Sequence, residues 1–239
     1  MIVIGTALTD MLEEVDPTTL LIGSIVVVGV ALLTALVFRD MLHQSAMHRL
    51  AASLNFTYES PGSKERFVQR LRSVHDLFLP ADDDDWFKFK LSHVMSATID
   101  GVEVDVAEVQ CYMDRFGGSD EPLHTRYPKR CTVVLVSRQG LHLPEFRSQP
   151  ENRLTRWIEK KQAARSFSDF SRVVGPDAAA MEEAFTHDVT DLLAGNRAYT
   201  IIGEDAMLML YRRETRLSAR RCRKLIAFGV ELIRKFRTS

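Results

Sequence analysis

Leu20 to Phe38 reads LLIGSIVVVGVALLTALVF, nineteen residues without a charge, bounded by Asp16 on one side and Arg39 on the other. The charge-free run extends back to Pro17, which makes twenty-two residues. At about 1.5 Å of rise per residue that is roughly 33 Å of helix, enough to cross a hydrocarbon core of about 30 Å. A buried core helix of this length would show a polar face, and here only Ser24 and Thr34 are polar. A signal peptide needs a basic start, whereas Met1 to Thr19 holds no Lys or Arg and carries Asp10, Glu13, Glu14 and Asp16. The stretch reads as one transmembrane helix. It divides the chain into an acidic tail (1–19), a span (20–38), a helical stalk (39–55), a soluble domain (56–213) and a basic C-terminal helix packed on that domain (214–239).

Orientation follows from the basic residues. Arg39, Arg49, Lys64, Arg66, Arg70 and Arg72 all follow the span, so the positive-inside rule places the tail outside and the domain in the cytoplasm, at an inner (cytoplasmic) membrane. Cys111, Cys131 and Cys222 are odd in number, far apart and in no CxxC pair. That argues against a disulfide framework or zinc site and fits a reducing compartment. Within the span, Ser24, Val28, Ala31 and Ala35 share one face, a stripe small enough to admit a second helix closely. Beyond Arg39, Leu42, Ala46, Leu50 and Leu54 recur at i+4 with no Gly or Pro before Asn55, so the helix is expected to continue to about Leu54.

The domain reads as α+β, a mostly antiparallel sheet with helices packed on it. Phe56 to Tyr58 is a short extended piece, Pro61-Gly62 a turn, and Ser63 the cap of a helix with Phe67, Leu71 and Val74 on one face. A strand from Phe87 to Ile99 is followed by Asp100-Gly101, the strongest hairpin signal in the chain. The returning strand alternates Val102, Val104, Val106 and then Ala107, Val109, Cys111, which predicts a β-bulge near Val106. On that strand Glu103 and Asp105 share a face, expected to be wet. Cys131 to Val136 fits a buried central strand. Pro150 opens a short helix, Phe167 to Val174 is an edge strand, and Asp177 caps one helix carrying Met181, Phe185, Val189 and Leu192. Tyr199–Ile202 and Met207–Tyr211 form a last hairpin. A final helix, roughly Ser218 to Phe236, puts Cys222, Leu225, Ile226, Gly229, Leu232, Ile233 and Phe236 on one stripe.

Three segments, LPEFRSQPE (Leu143–Glu151), FSDFSRVVGPDAAAMEEAFTHDVTDLLAG (Phe167–Gly195) and AYTIIGEDAMLMLYRR (Ala198–Arg213), resemble those of a family of bacterial membrane-associated proteins with a domain of unknown function. The plan of one hydrophobic helix, an "LA..L.F.Y" segment (Leu50–Tyr58) and a central sheet is similar as well. The resemblance covers about Leu50 to Arg213 and implies a fold; it brings no catalytic residues with it.

The formal net charge of −1 hides an asymmetry. The tail carries −4, whereas Arg212 to Arg237 holds ten basic residues against Glu214 and Glu231, a net of +8. Arg216, Arg220, Arg221, Arg223 and Lys224 are candidate contacts for an anionic lipid surface; no aromatic platform accompanies them, so nucleic acid is not expected. The segment Asp114 to Arg130 reads as a long loop whose His124, Arg126, Tyr127 and Lys129 are candidate partner contacts. His43 and His48 are five apart, and the Asp82 to Asp85 run lacks the spacing of a calcium loop, so no metal or cofactor is expected. There is no GxSxG, HExxH, Walker or dinucleotide motif. These observations point to a non-catalytic, single-pass interaction or scaffold protein, an accessory subunit of a larger membrane complex with the bilayer and other membrane proteins as partners. The alternatives are a membrane-surface sensor or anionic ligand-binding domain and, behind it, an enzyme with an unrecognised site.

Overall fold

A computed structural model describes residues 17–60, 62–72, 90–113, 127–149, 172–196, 198–212 and 215–236. The chain divides into two units, Met1–Ser45 and Ala46–Ser239. Helix α1, Pro17–Ser53, runs unbroken, as the absence of Gly and Pro after the span requires. Its most apolar eighteen-residue window, within Leu21–Ser53, has a mean hydropathy of 2.7, and α1 is the one helix among the described residues long and apolar enough to cross a membrane.

The second unit is built on an eight-stranded antiparallel sheet. Its strands are β1 (Thr57–Tyr58), β2 (Lys90–Ile99), β3 (Val102–Met113), β4 (Tyr127–Arg138), β5 (Leu143–Gln149), β6 (Arg172–Val174), β7 (Thr200–Asp205) and β8 (Met207–Tyr211), in the spatial order β1-β2-β3-β4-β8-β7-β5-β6. The fold class is α+β. The β2–β3 hairpin turns on Asp100 (φ 48°) and Gly101 (φ 78°), both left-handed, the conformation a two-residue primed turn demands. β6 lies at the sheet edge and the Cys131–Val136 run at its centre, both as expected.

Both faces of the sheet are covered, which corrects the expected bulge in β3. That strand pairs with β4 without interruption from Val102↔Arg138 to Met113↔Tyr127. Val102, Val104 and Val106 enter one core, and Ala107 and Val109 the other. The change of parity is two buried faces rather than a slipped register. The extra residue sits on β2, between Ser92 and Met95, where His93 takes a φ of 56°.

On the first face lie the last turns of α1, with Met47, Leu50 and Ala51, and the long helix α5 (Ala219–Lys235), which buries Cys222, Leu225, Ile226, Phe228, Gly229, Val230, Leu232 and Ile233. Fully burying one such aliphatic side chain stabilises by about 1.5–3 kcal/mol. On the second face α2 (Ser63–Arg72) packs Phe67 and Leu71 against Val94, Val133 and Met209. Ser63 is the first residue of α2 rather than its cap, and its buried hydroxyl has no hydrogen-bond partner among the described residues.

The single helix expected after Asp177 is two. α3 (Ala178–Ala184) starts on Asp177, whose carboxylate accepts from the Ala179 and Ala180 N–H groups at 3.0 Å. It ends at Phe185, and Thr186, in extended geometry, starts α4 (His187–Gly195). The break lets the Phe185 ring meet Phe146 edge-on at 4.8 Å and Phe236 at 5.8 Å, aromatic contacts of a kind worth about 0.5–1.5 kcal/mol each beyond their burial. Phe146 in turn packs on Gly203 across β5 and β7, where a Cβ would run into its ring. Val74, Phe87, the Asp82–Asp85 run and the helix after Pro150 lie outside the described residues.

Candidate functional site

The charge asymmetry of the sequence resolves into two arrangements around α5, one exposed and one buried. Arg220, Arg221, Arg223 and Lys224 all lie in the first six residues of the helix, exposed, with no acidic residue in the first turn. A helix start carries partial positive charge, so these cations oppose the dipole and do not serve the helix. Arg220, Arg221 and Lys224 make no hydrogen bond or ion pair with any described residue. Arg223 donates to the Ser53 hydroxyl.

The other end of α5 is balanced. Arg234 pairs with Asp100 at 2.5 Å and Lys235 with Asp188 at 3.0 Å. The hydrogen bond from Lys235 holds the Asp188 carboxyl below its ordinary range, and the same bond raises Lys235. Between the two ends runs an open groove of about 450 Å³, floored by Leu54, Ile99, Ile226, Ala227 and Val230, and edged by Arg223, Glu231, Arg234 and Lys235.

Arg216 does not belong to this surface, contrary to the sequence reading. It precedes α5 and turns inward, where its Nε donates to Glu108 Oε2 at 2.8 Å. Glu108 is 3% exposed and stands in the even register of β3 behind Val102, Val104 and Val106, so a carboxylate alone on an apolar face draws the nearest cation to it. His93, at the β2 bulge, completes the cluster. Its Nδ1 shares a hydrogen bond with the Tyr58 hydroxyl, its Nε2 lies 3.8 Å from Glu108 Oε2 and 3.4 Å from Arg216, and its backbone N–H donates to Glu59 at 2.9 Å. His48 stacks on Tyr58 with ring centroids 3.8 Å apart. Burial, and then the charges of Glu59 and Glu108, push the Tyr58 hydroxyl up to about 12. Burial, with Glu108 adding to it, raises the Cys222 thiol above this cluster to about 12 as well. The Leu217 N–H donates to Thr132 Oγ1 at 2.9 Å. Together these bonds pin the segment entering α5 to the sheet.

The opposite face holds a matching pair. Asp105, expected in solvent, is 2% exposed. It accepts from Arg66 at 2.7 Å and from Arg70, both on α2, and Arg70 also donates to Ser137 at 2.6 Å. Glu103, on the same face, remains exposed with Arg70 at 3.3 Å.

Of the remaining candidates, Ser24, Val28, Ala31 and Ala35 are exposed on α1. The Ser24 hydroxyl donates to the Leu21 carbonyl at 2.7 Å and Thr34 to Val30 at 2.8 Å, so the two polar groups of the apolar stretch are satisfied within their own helix. Tyr127 and Lys129 belong to β4, paired with Met113 and Cys111, and not to a loop; the strand extends because β3 supplies ladder partners there. His124 and Arg126 lie outside the described residues. The buried roles of His93, Asp105 and Glu108 escaped the sequence reading. A signal for Glu108 is present, since it follows Val102, Val104 and Val106 on their face of β3; Asp105, next to Glu103 on the other face, gives none.

No family model matches the chain, and no curated protein matches it. Among solved structures it is similar to the mycobacterial trehalose monomycolate transport factor A, TtfA, at 14% sequence identity and a TM-score of 0.43, over 80% of this chain and 90% of that one. A likeness at that level carries no argument about this chain.

Proposed function

We propose that the chain is a single-pass, membrane-anchored, non-catalytic interaction protein, an accessory subunit of a larger membrane complex, with its domain on the cytoplasmic side of an inner membrane. The observation that carries this reading is the surface of α1. From Leu21 to Leu42 the large apolar side chains are exposed around the whole helix, from 52% at Leu42 to 67% at Val27. In water that surface is unfavourable at about 25 cal/mol per Å²; in lipid it is not, provided the polar groups are satisfied internally, as those of Ser24 and Thr34 are. The small stripe of Ser24, Val28, Ala31 and Ala35 is where a partner span packs. Kinship with the membrane-associated bacterial family is part of the same proposal and rests on the sequence segments alone.

The test is extraction from native membranes in mild detergent, followed by the mass and composition of the particle. A particle much larger than one 27.1 kDa chain plus detergent, with reproducible partners, is expected. A lone chain or homo-oligomer contradicts the accessory role. The second reading, an anionic-ligand domain, is favoured by one feature, the groove along α5.

A further inference from the structure

We infer that the groove along α5 binds a single-chain anionic amphiphile, with its phosphate head at the N-terminal end of the helix and its alkyl chain laid toward Val230. The inference concerns the folded unit and rests on the ligand-binding reading, not on the accessory-subunit reading.

Its first support is the order of charge along the groove. At 100° per residue Arg220 and Arg223 fall on the same face as Ala227, Val230 and Arg234, so the exposed basic cluster continues the line of the groove. Positive charge at the C-terminal end is already answered, Arg234 by Asp100 and Lys235 by Asp188, and Glu231 adds a negative charge there. At the N-terminal end Arg220, Arg221 and Lys224 have no partner among the described residues, and Arg223 meets only a neutral hydroxyl. An anionic head is drawn to one end and repelled from the other.

The second support is what lies between. Leu54, Ile99, Ile226 and Val230 give an apolar floor in a volume of about 450 Å³, within the range of about 300–1,000 Å³ usual for small-molecule sites. Ala227, the exposed residue midway, is small enough to leave the floor open. A head carrying two negative charges suits guanidinium groups, which bind phosphate through paired N–H donors. A free phosphate uses only the head end; an acidic amphipathic peptide uses the floor but meets Glu231 and the two acidic partners at the far rim. The single-chain amphiphile fits both ends.

The test uses the full chain in a non-ionic maltoside detergent and a lysophosphatidate carrying a photoreactive group midway along its acyl chain. Labelling is expected on the peptides containing Leu54 and Ile226–Val230, competed by unlabelled lysophosphatidate and not by lysophosphatidylcholine or inorganic phosphate. The double substitution Arg220→Glu/Arg223→Glu is expected to lower it about tenfold, and Ala227→Trp, which fills the floor without touching a charge, by a similar factor, both with unchanged circular dichroism. Labelling indifferent to the head group, labelling confined to residues 21–42, labelling unaffected by Ala227→Trp, or competition by an acidic Leu/Glu peptide alone each overturns the proposal. None of these outcomes bears on the particle mass, so the two readings fail separately.

Discussion

Residues 21–42 of α1 and the whole of α5 show what a helix does with apolar side chains when the solvent differs. α5 gathers them on one stripe, buries eight residues against the sheet and turns Arg220, Arg221, Arg223 and Lys224 outward. α1 has no such stripe: Ile25, Val27, Val28 and Leu33 point in different directions and all are exposed. An amphipathic helix is stabilised by a core, an apolar one by lipid. The two therefore respond differently to the same kinds of change.

The largest effect is expected where α5 is fastened. Glu108→Ala leaves Arg216 and His93 facing an empty apolar site, and breaking a buried pair in this way costs about 3–5 kcal/mol. Urea unfolding of the domain should show it; a loss under about 1 kcal/mol would mean that the cluster is incidental to the packing of α5. Next come matched truncations. Leu225→Ala removes a fully buried side chain and is expected to cost about 3 kcal/mol of domain stability. Leu33→Ala, at an exposed position of α1, is expected to change that stability by less than about 0.5 kcal/mol. Equal effects would erase the distinction between the two helices.

Charge reverses the order. Val28→Lys places an ammonium in the middle of the apolar stretch, at an insertion cost of about 2.5–3.5 kcal/mol, and should shift protein from the membrane to the soluble or degraded fraction. Ala227→Lys on the exposed face of α5 should leave both stability and location unchanged.

The smallest effect is an alkaline one. The Cys222 thiol lies at about 12 against an ordinary 9.0, raised by burial and then by Glu108, and the Tyr58 hydroxyl at about 12 against 10.0, raised by burial and then by Glu59 and Glu108. Both values are higher in the folded state, so the unfolded chain releases these protons first. Their stabilisation is complete below about pH 9 and is lost as pH rises toward about 12. The Tm should fall across that window, less steeply in Tyr58→Phe, and Cys222 should resist alkylation at pH 8 until the domain unfolds.

Much of the fold was legible because it depends on local chemistry. Asp100-Gly101 announced its hairpin, Asp177 its helix start, and the i, i+3, i+4 spacing of Cys222, Leu225, Ile226 and Gly229 the buried face of α5. What was not legible depends on what lies across the sheet. A strand covered on both faces looks, along one chain, like a strand with a bulge, so in sequence Ala107 and Val109 mimic a change of register. The same ambiguity hid Asp105, whose two arginines come from a helix 35 and 39 residues earlier. Arg216 was indistinguishable in sequence from Arg220 and Arg221, because its partner Glu108 is 108 residues away. The break at Phe185 is decided by Phe146 and Phe236, which no local pattern reveals.

The claim on which the rest depends is that residues 21–42 have lipid as their solvent. The direct measurement is alkaline carbonate extraction of membranes containing the full chain, followed by flotation. The chain should stay with the membrane pellet and float with lipid, and a variant lacking residues 1–42 should be released. Release of the full chain by carbonate would contradict the account.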